Sequence, residues 1–147
     1  MINFKLEIEK FNYLGTECNI IPISFINYHN YKTLIEDCIY FFNDEIEWDG
    51  MFSLNQALVR ISNGMVLYVC MGDTQPLGYV WFKDKEDKRL LFNLFFRNKN
   101  VIKKYTGKEF VSSVINTYEK NKIIVCEVDE WNEKSLKLFK KLGFQEL

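Results

Sequence analysis

At 147 residues the chain is one domain's worth, residues 1–147, long enough to bury roughly 68–70% of its unfolded surface. Its 48% hydrophobic content, 16% aromatics, and only 7 Gly and 2 Pro exclude a disordered or collagenous chain. A net charge of −1 supplies no global field for nucleic acid or an acidic membrane, and the longest uncharged run, residues 18–31, is too short and polar to span a bilayer. The first residues lack the apolar core of a secretory signal, so the expected location is cytoplasmic. Charge is uneven along the chain: residues 1–96 carry a net −5 and residues 97–147 a net +4. The four cysteines (Cys18, Cys38, Cys70, Cys126) form no C-x-x-C pair and read as buried thiols. One histidine, His29, cannot build a His-based metal site, and no metal is expected.

In chain order, Phe4, Leu6 and Ile8 alternate with charges and predict a half-buried strand. A turn at Leu14-Gly15-Thr16 precedes a returning strand over 19–24. Leu34, Ile35, Cys38, Ile39 and Phe42 predict a helix over 31–42. An acidic loop, 43–50, leads to Ser53 and Gln56, spaced as a capping box for a helix that Asn63-Gly64 ends. Runs 65–70 and 77–82 predict a hairpin around Gly72-Asp73-Thr74-Gln75-Pro76. After a second polar turn, 90–96 is almost continuously apolar, which predicts cover on both faces. Val111, Val114, Ile115 and Tyr118 fit a helix, 123–128 a strand, and 133–142 a last helix with Asn132 as cap and Gly143 as stop.

This order predicts an α/β fold: a mixed, mostly antiparallel sheet with helices on both faces. Two segments carry a more specific signal. One is Met65-Val66-Leu67-Tyr68-Val69 followed by Pro76-Leu77-Gly78-Tyr79-Val80. The other runs from Ile124-Val125-Cys126-Glu127-Val128 through Asn132 to Leu142-Gly143-Phe144. Together with the element order they resemble the GNAT (Gcn5-related) N-acetyltransferase family over nearly the whole chain. The resemblance implies the acyl-CoA N-acyltransferase fold, with acetyl-CoA as co-substrate and a primary amine of a small molecule or peptide as acceptor.

Residues 97–108 hold five basic side chains and no acidic one, where a diphosphate is expected to meet a helix N-terminus. Lys103, Lys104, Thr106, Gly107 and Lys108 are thereby implied to bind the cofactor. The family's phosphate loop carries Arg or Gln and small residues; matching apolar helix positions places Thr106, Glu109 and Val111 there instead, in preference to a shifted register, Lys104-x-x-Gly107-x-Glu109, that would put Ser112 and Ser113 at apolar positions. A carboxylate at Glu109 would repel a diphosphate unless it turns away or pairs with Lys104 or Lys108. Backbone groups of Leu94 and Phe96 are implied to align the pantetheine arm, with Asn132 and Phe139 beside it. Phe139 stands where members often have a proton-donating Tyr, which leaves Ser135, on the same helical face, as a hydrogen-bond donor. Glu127 is the first candidate general base and Asp129 the next. Glu47, Trp48 and Asp49, with Asp44, Glu45 and Phe52 nearby, suit a cationic amine with an alkyl part, and Tyr28, His29 and Tyr31 could line the same groove.

Two expectations follow. One is an N-acetyltransferase acting by direct attack of the amine; the other is a GNAT-fold module that binds CoA or a partner without turnover. Nucleic acid and membrane partners are not expected. One sheet edge is left for the N-terminal strands to complete or for a second subunit to pair with, so a homodimer is one expectation.

Overall fold

The computed structural model describes residues 1–42, 53–96, 105–118 and 122–147. In chain order these form β1 (Ile2–Leu6), β2 (Ile20–Ile23), α1 (Lys32–Phe42), α2 (Leu54–Ser62), β3 (Met65–Met71), β4 (Pro76–Asp84) and β5 (Lys88–Phe96). Then follow α3 (Gly107–Asn116), β6 (Ile123–Val128), α4 (Glu133–Lys141) and β7 (Gln145–Glu146). Single 3-10 turns occupy Ile8–Lys10 and Tyr28–Asn30.

Local chemistry accounts for the helix ends. Ser53 and Gln56 form the expected capping box: the Gln56 amide donates to Ser53 Oγ at 3.2 Å, and the Ser53 amide donates to Gln56 Oε1 at 2.9 Å. Asn132 Oδ1 accepts from the Ser135 amide at 3.2 Å and starts α4. At its other end the Gly143 amide donates to Lys140 O and the Phe144 amide to Phe139 O, a Schellman closure. Gly143 has φ +102°, and a Cβ there would collide with Lys10 O, so only glycine fits.

Among the described residues the sheet has seven strands in the order β2-β3-β4-β5-β6-β1-β7. All neighbouring pairs are antiparallel except β5 and β6. Alternation along β3 and β4 separates two cores. Leu67, Val69, Tyr79 and Trp81 meet Ile35, Cys38, Phe42, Ala57 and Ile61 of α1 and α2. Cys70, Val80 and Phe82 meet Phe110, Val111, Val114 and Ile115 of α3 and Phe139 of α4 on the opposite face. The expected sheet with helices on both faces is the observed architecture.

Three expectations change. The strand over 19–24 does not return against the first one: β2 pairs with β3, while β1 lies between β6 and β7. Period-two alternation marks a strand's buried face but not its partner. Strand β5 is covered less fully than expected: Phe92 and Phe95 pack against the α1/α2 core and Leu94 and Phe96 against the α3/α4 core, but of its nine residues only Leu91 is fully buried. A cavity opens against part of it, lined by its residues Leu90 to Leu94. Finally, apolarity does not set the register of α3, because Phe110 through Ile115 are all buried, Ser112 and Ser113 included. The serines are satisfied by distant backbone: the Leu14 amide donates to Ser112 Oγ (2.9 Å), the Cys18 amide to Ser113 Oγ (3.2 Å), and Ser113 Oγ to Thr16 O (2.6 Å).

Candidate active-site cleft

The parallel ladder of β5 with β6 runs only from Lys88↔Ile123 to Leu90↔Val125. Two features re-aim β5 beyond that point. Asn93 adopts φ +51°, a left-handed conformation that non-glycine residues rarely take. Opposite it the β4–β5 register slips: Trp81 faces Phe92 and Tyr79 faces Phe95, so two residues of β5 oppose one of β4. That is a β-bulge, the usual device for bending a strand at a site. Arg60 of α2 fixes it: its Nη1 donates to Asn93 Oδ1 at 2.9 Å, and its guanidinium lies 5.2 Å from the Trp81 ring and 5.9 Å from the Phe92 ring.

Where the two strands part lies a cavity of about 740 Å³. One wall is Leu90 to Leu94 of β5, the other Val125 to Asp129, and Asn132, Ser135 and Phe139 of α4 close one side. Met1, Asn3, Phe4, Lys88 and Leu147 complete the lining. The volume is in the range that holds a drug-sized organic ligand.

Five of the sequence-predicted residues meet here: Leu94, Glu127, Asn132, Ser135 and Phe139, together with Asp129. They approach from two sides. Cys126 and Val128 point into the α3/α4 core, so Glu127 between them projects to the opposite face, where it is exposed. Asn132 and Ser135 reach in from α4. The Phe139 ring is 3% exposed and packs against Phe4 and Phe144, with centroids at 6.4 and 5.0 Å. It shapes the cavity and has no proton to give. Phe96 is used elsewhere, stacked on Phe110 of α3 at 5.5 Å. Tyr31 and Tyr28 pack against the α1/α2 core, with His29 4.0 Å from Tyr28 ring to ring, away from the cavity lining. Lys103 and Lys104, and Glu47, Trp48 and Asp49 with Asp44, Glu45 and Phe52, lie outside the described residues.

Thr106, Gly107 and Lys108 begin α3 and do not line the cavity. Thr106 is the N-cap of a second capping box: Thr106 Oγ1 accepts from the Glu109 amide (3.2 Å), and Glu109 Oε1 accepts from the Thr106 amide (2.9 Å). The Thr16 hydroxyl and the Thr106 amide hold the Glu109 carboxyl below the ordinary value of 4.5. Gly107 is not sterically required, since a Cβ there would meet Phe96 and Leu138 at 3.5 Å or more. Further along the segment that carries Thr16, the Cys70 thiol donates to Cys18 and draws the Cys18 thiol below its usual value. All four cysteines are free, with Cys38, Cys70 and Cys126 buried.

Several lining residues escaped the reading of the sequence. Asn3 and Phe4 come from a strand whose place in the sheet the sequence leaves open, and Lys88 from what reads as the polar turn before β5. Asn93 had a signal, being the one polar residue within the apolar run 90–96. The Thr106-x-x-Glu109 spacing was also an open capping-box signature. Among the described residues no group of three or more His, Cys, Asp or Glu could hold a metal ion, and no helix is long and apolar enough to cross a membrane.

No family model matches the sequence, and no curated protein sequence matches it. Solved structures do resemble the fold. A GCN5-related N-acetyltransferase from Sphaerobacter thermophilus superposes with a TM-score of 0.62 at 10% identity over 99% of this chain and 48% of its own. A GNAT-family acetyltransferase from Bacillus cereus gives 0.61 at 16% identity, covering 87% of this chain and 82% of its own. An aminoglycoside acetyltransferase from an uncultured soil metagenomic sample, in complex with sisomicin, gives 0.59 at 14%, covering 84% and 86%. The chain spans about half the length of the Sphaerobacter protein, and 57% and 59% of two further neighbours. The fold is that of the GNAT acyl-CoA N-acyltransferases.

Proposed function

We propose that the chain, acting as a single domain in the cytoplasm, is an N-acetyltransferase that moves an acetyl group from an acetyl-CoA-type thioester to a primary amine by direct attack. The observation that carries this reading is the cavity between the parted strands, with a carboxylate on one side and polar groups of α4 on the other. The thioester, when bound, supplies the activated acyl group. The lining suits its arm: Leu90, Leu91 and Leu94 offer apolar contact, and Asn132 and Ser135 offer hydrogen bonds.

The roles of the side chains follow from where they stand. An amine attacks only without its proton, so Glu127, exposed on the far face, takes that proton as the general base. The acceptor thus enters on the α1/α2 face, with Glu47, Trp48 and Asp49 proposed as its partners. Ser135 donates a hydrogen bond to the departing sulfur, with α4's N-terminal dipole behind it. A thiol with an ordinary pKa near 8.5 leaves fairly well without full protonation, so Phe139 does not prevent turnover. An aminoglycoside-bound neighbour supports a small polyamine as one acceptor to try.

Purified protein incubated with acetyl-CoA and an amine panel should release free thiol only when an accepted amine is present. Glu127→Gln should lower kcat by about 10²–10⁴-fold at neutral pH, and Ser135→Ala by less. Thiol release unaffected by Glu127→Gln would remove Glu127 from the mechanism. Absence of both binding and release across the panel would leave a partner-binding module.

A further inference from the structure

The first turn of α3 stands at the end of β5, so a ligand arm running along Leu94 and past Phe96 arrives at its free amides. Such a helix N-terminus following a parallel strand ordinarily receives a phosphate. Here it already holds an anion. Glu109 folds back onto the Thr106 amide, and Thr106 Oγ1 takes the Glu109 amide. The Phe110 amide is bound to Thr106 O. Beside it, the segment carrying Thr16 is tied to α3 through Leu14, Cys18, Ser112 and Ser113. Rotating Glu109 away costs its bond to the Thr106 amide, and leaving it in place sets a negative charge against any incoming diphosphate.

The residues present therefore fit the thioester arm of the donor and do not fit its diphosphate at this helix. Resting on the acyltransfer reading above, we infer that Glu109 is a specificity determinant that makes the donor site select the acyl-pantetheine portion and not the nucleotide. The matching donors are acetyl thioesters of pantetheine-like thiols, with or without a nucleotide attached.

Isothermal titration with S-acetyl-pantetheine, which carries no phosphate, and with acetyl-CoA tests this on the wild-type chain and on Glu109→Gln. Glutamine keeps the capping box and removes only the charge. The wild type should bind the two donors within about threefold of each other. The variant should bind acetyl-CoA roughly fivefold tighter, the upper size expected for one exposed charge at a helix terminus, with acetyl-pantetheine within about twofold of wild type. Acetyl-CoA binding the wild type more than about tenfold tighter than acetyl-pantetheine, or an equal response of both donors to the variant, would overturn the inference and leave the acyltransfer reading standing. Binding of neither donor to either protein would overturn both.

Discussion

Glu109 and Thr106 illustrate how a few atoms decide what a helix end can do. The box satisfies two of the amides that every helix leaves open at its start, and it does so with a charge that favours the positive end of the dipole. The Glu109 carboxyl is held low by the Thr16 hydroxyl first and the Thr106 amide second. The unfolded chain binds that proton more readily than the folded one. Its stabilisation is therefore complete above the ordinary glutamate value and disappears as pH falls through the lowered one. Melting temperatures recorded from about pH 7 to pH 3 should fall more steeply for wild type than for Glu109→Gln below about pH 5. Parallel curves would mean that the carboxylate gains nothing from its partners. This box was legible in the sequence, as was the Ser53–Gln56 box. The burial of Ser112 and Ser113 was not. Their partners lie 98 and 95 residues away, and no local pattern announces a polar residue satisfied from such a distance.

At the scale of an element, β5 shows how one residue turns a strand into the wall of a cleft. Its apolar composition suggested a fully covered strand, yet Asn93 bends it and Arg60 locks the bend from α2. Asn tolerates the left-handed conformation because its short amide finds a local partner; a β-branched residue does not. Asn93→Gly and Asn93→Val both lose the bond to Arg60, so comparing them isolates the backbone. The valine variant should be about 1–2 kcal/mol less stable than the glycine variant in urea unfolding. It should also lose donor binding, because flattening the bulge brings β5 back toward β6. Equal stabilities would show that Asn93 is held by its side chain alone. The strand and its C-terminal end could be read from the sequence. Its bulge could not, since a bulge depends on the register of the neighbouring strand.

Across the whole molecule, the N-terminal strand is what completes the sheet. The expected edge is filled by β1, paired through Ile2↔Val128 to Leu6↔Ile124 on one side and Lys5↔Gln145 on the other. Phe4 is fully buried there, touches Phe139 and backs the cavity. Phe4→Ala should cost about 3–5 kcal/mol by chemical denaturation, comparable to losing a core aromatic in the middle of a domain. A loss below about 1 kcal/mol would mean that β1 is a dispensable flap. The two layers of helices and the strand order from β3 through α4 were legible from hydrophobic period and turn chemistry. The position of β1 was one of several open alternatives, because a two-residue period fits any partner. Its pairing has a consequence for synthesis. Phe4 is synthesised on the order of ten seconds before its ladder partner Cys126. Until then the strand is a half-apolar edge with nothing to pair with, while α1, α2, β3 and β4 can already assemble beside it. Residues 123–141 therefore both supply β6 and α4 and retrieve β1, so the cleft comes into being only once that stretch has been made.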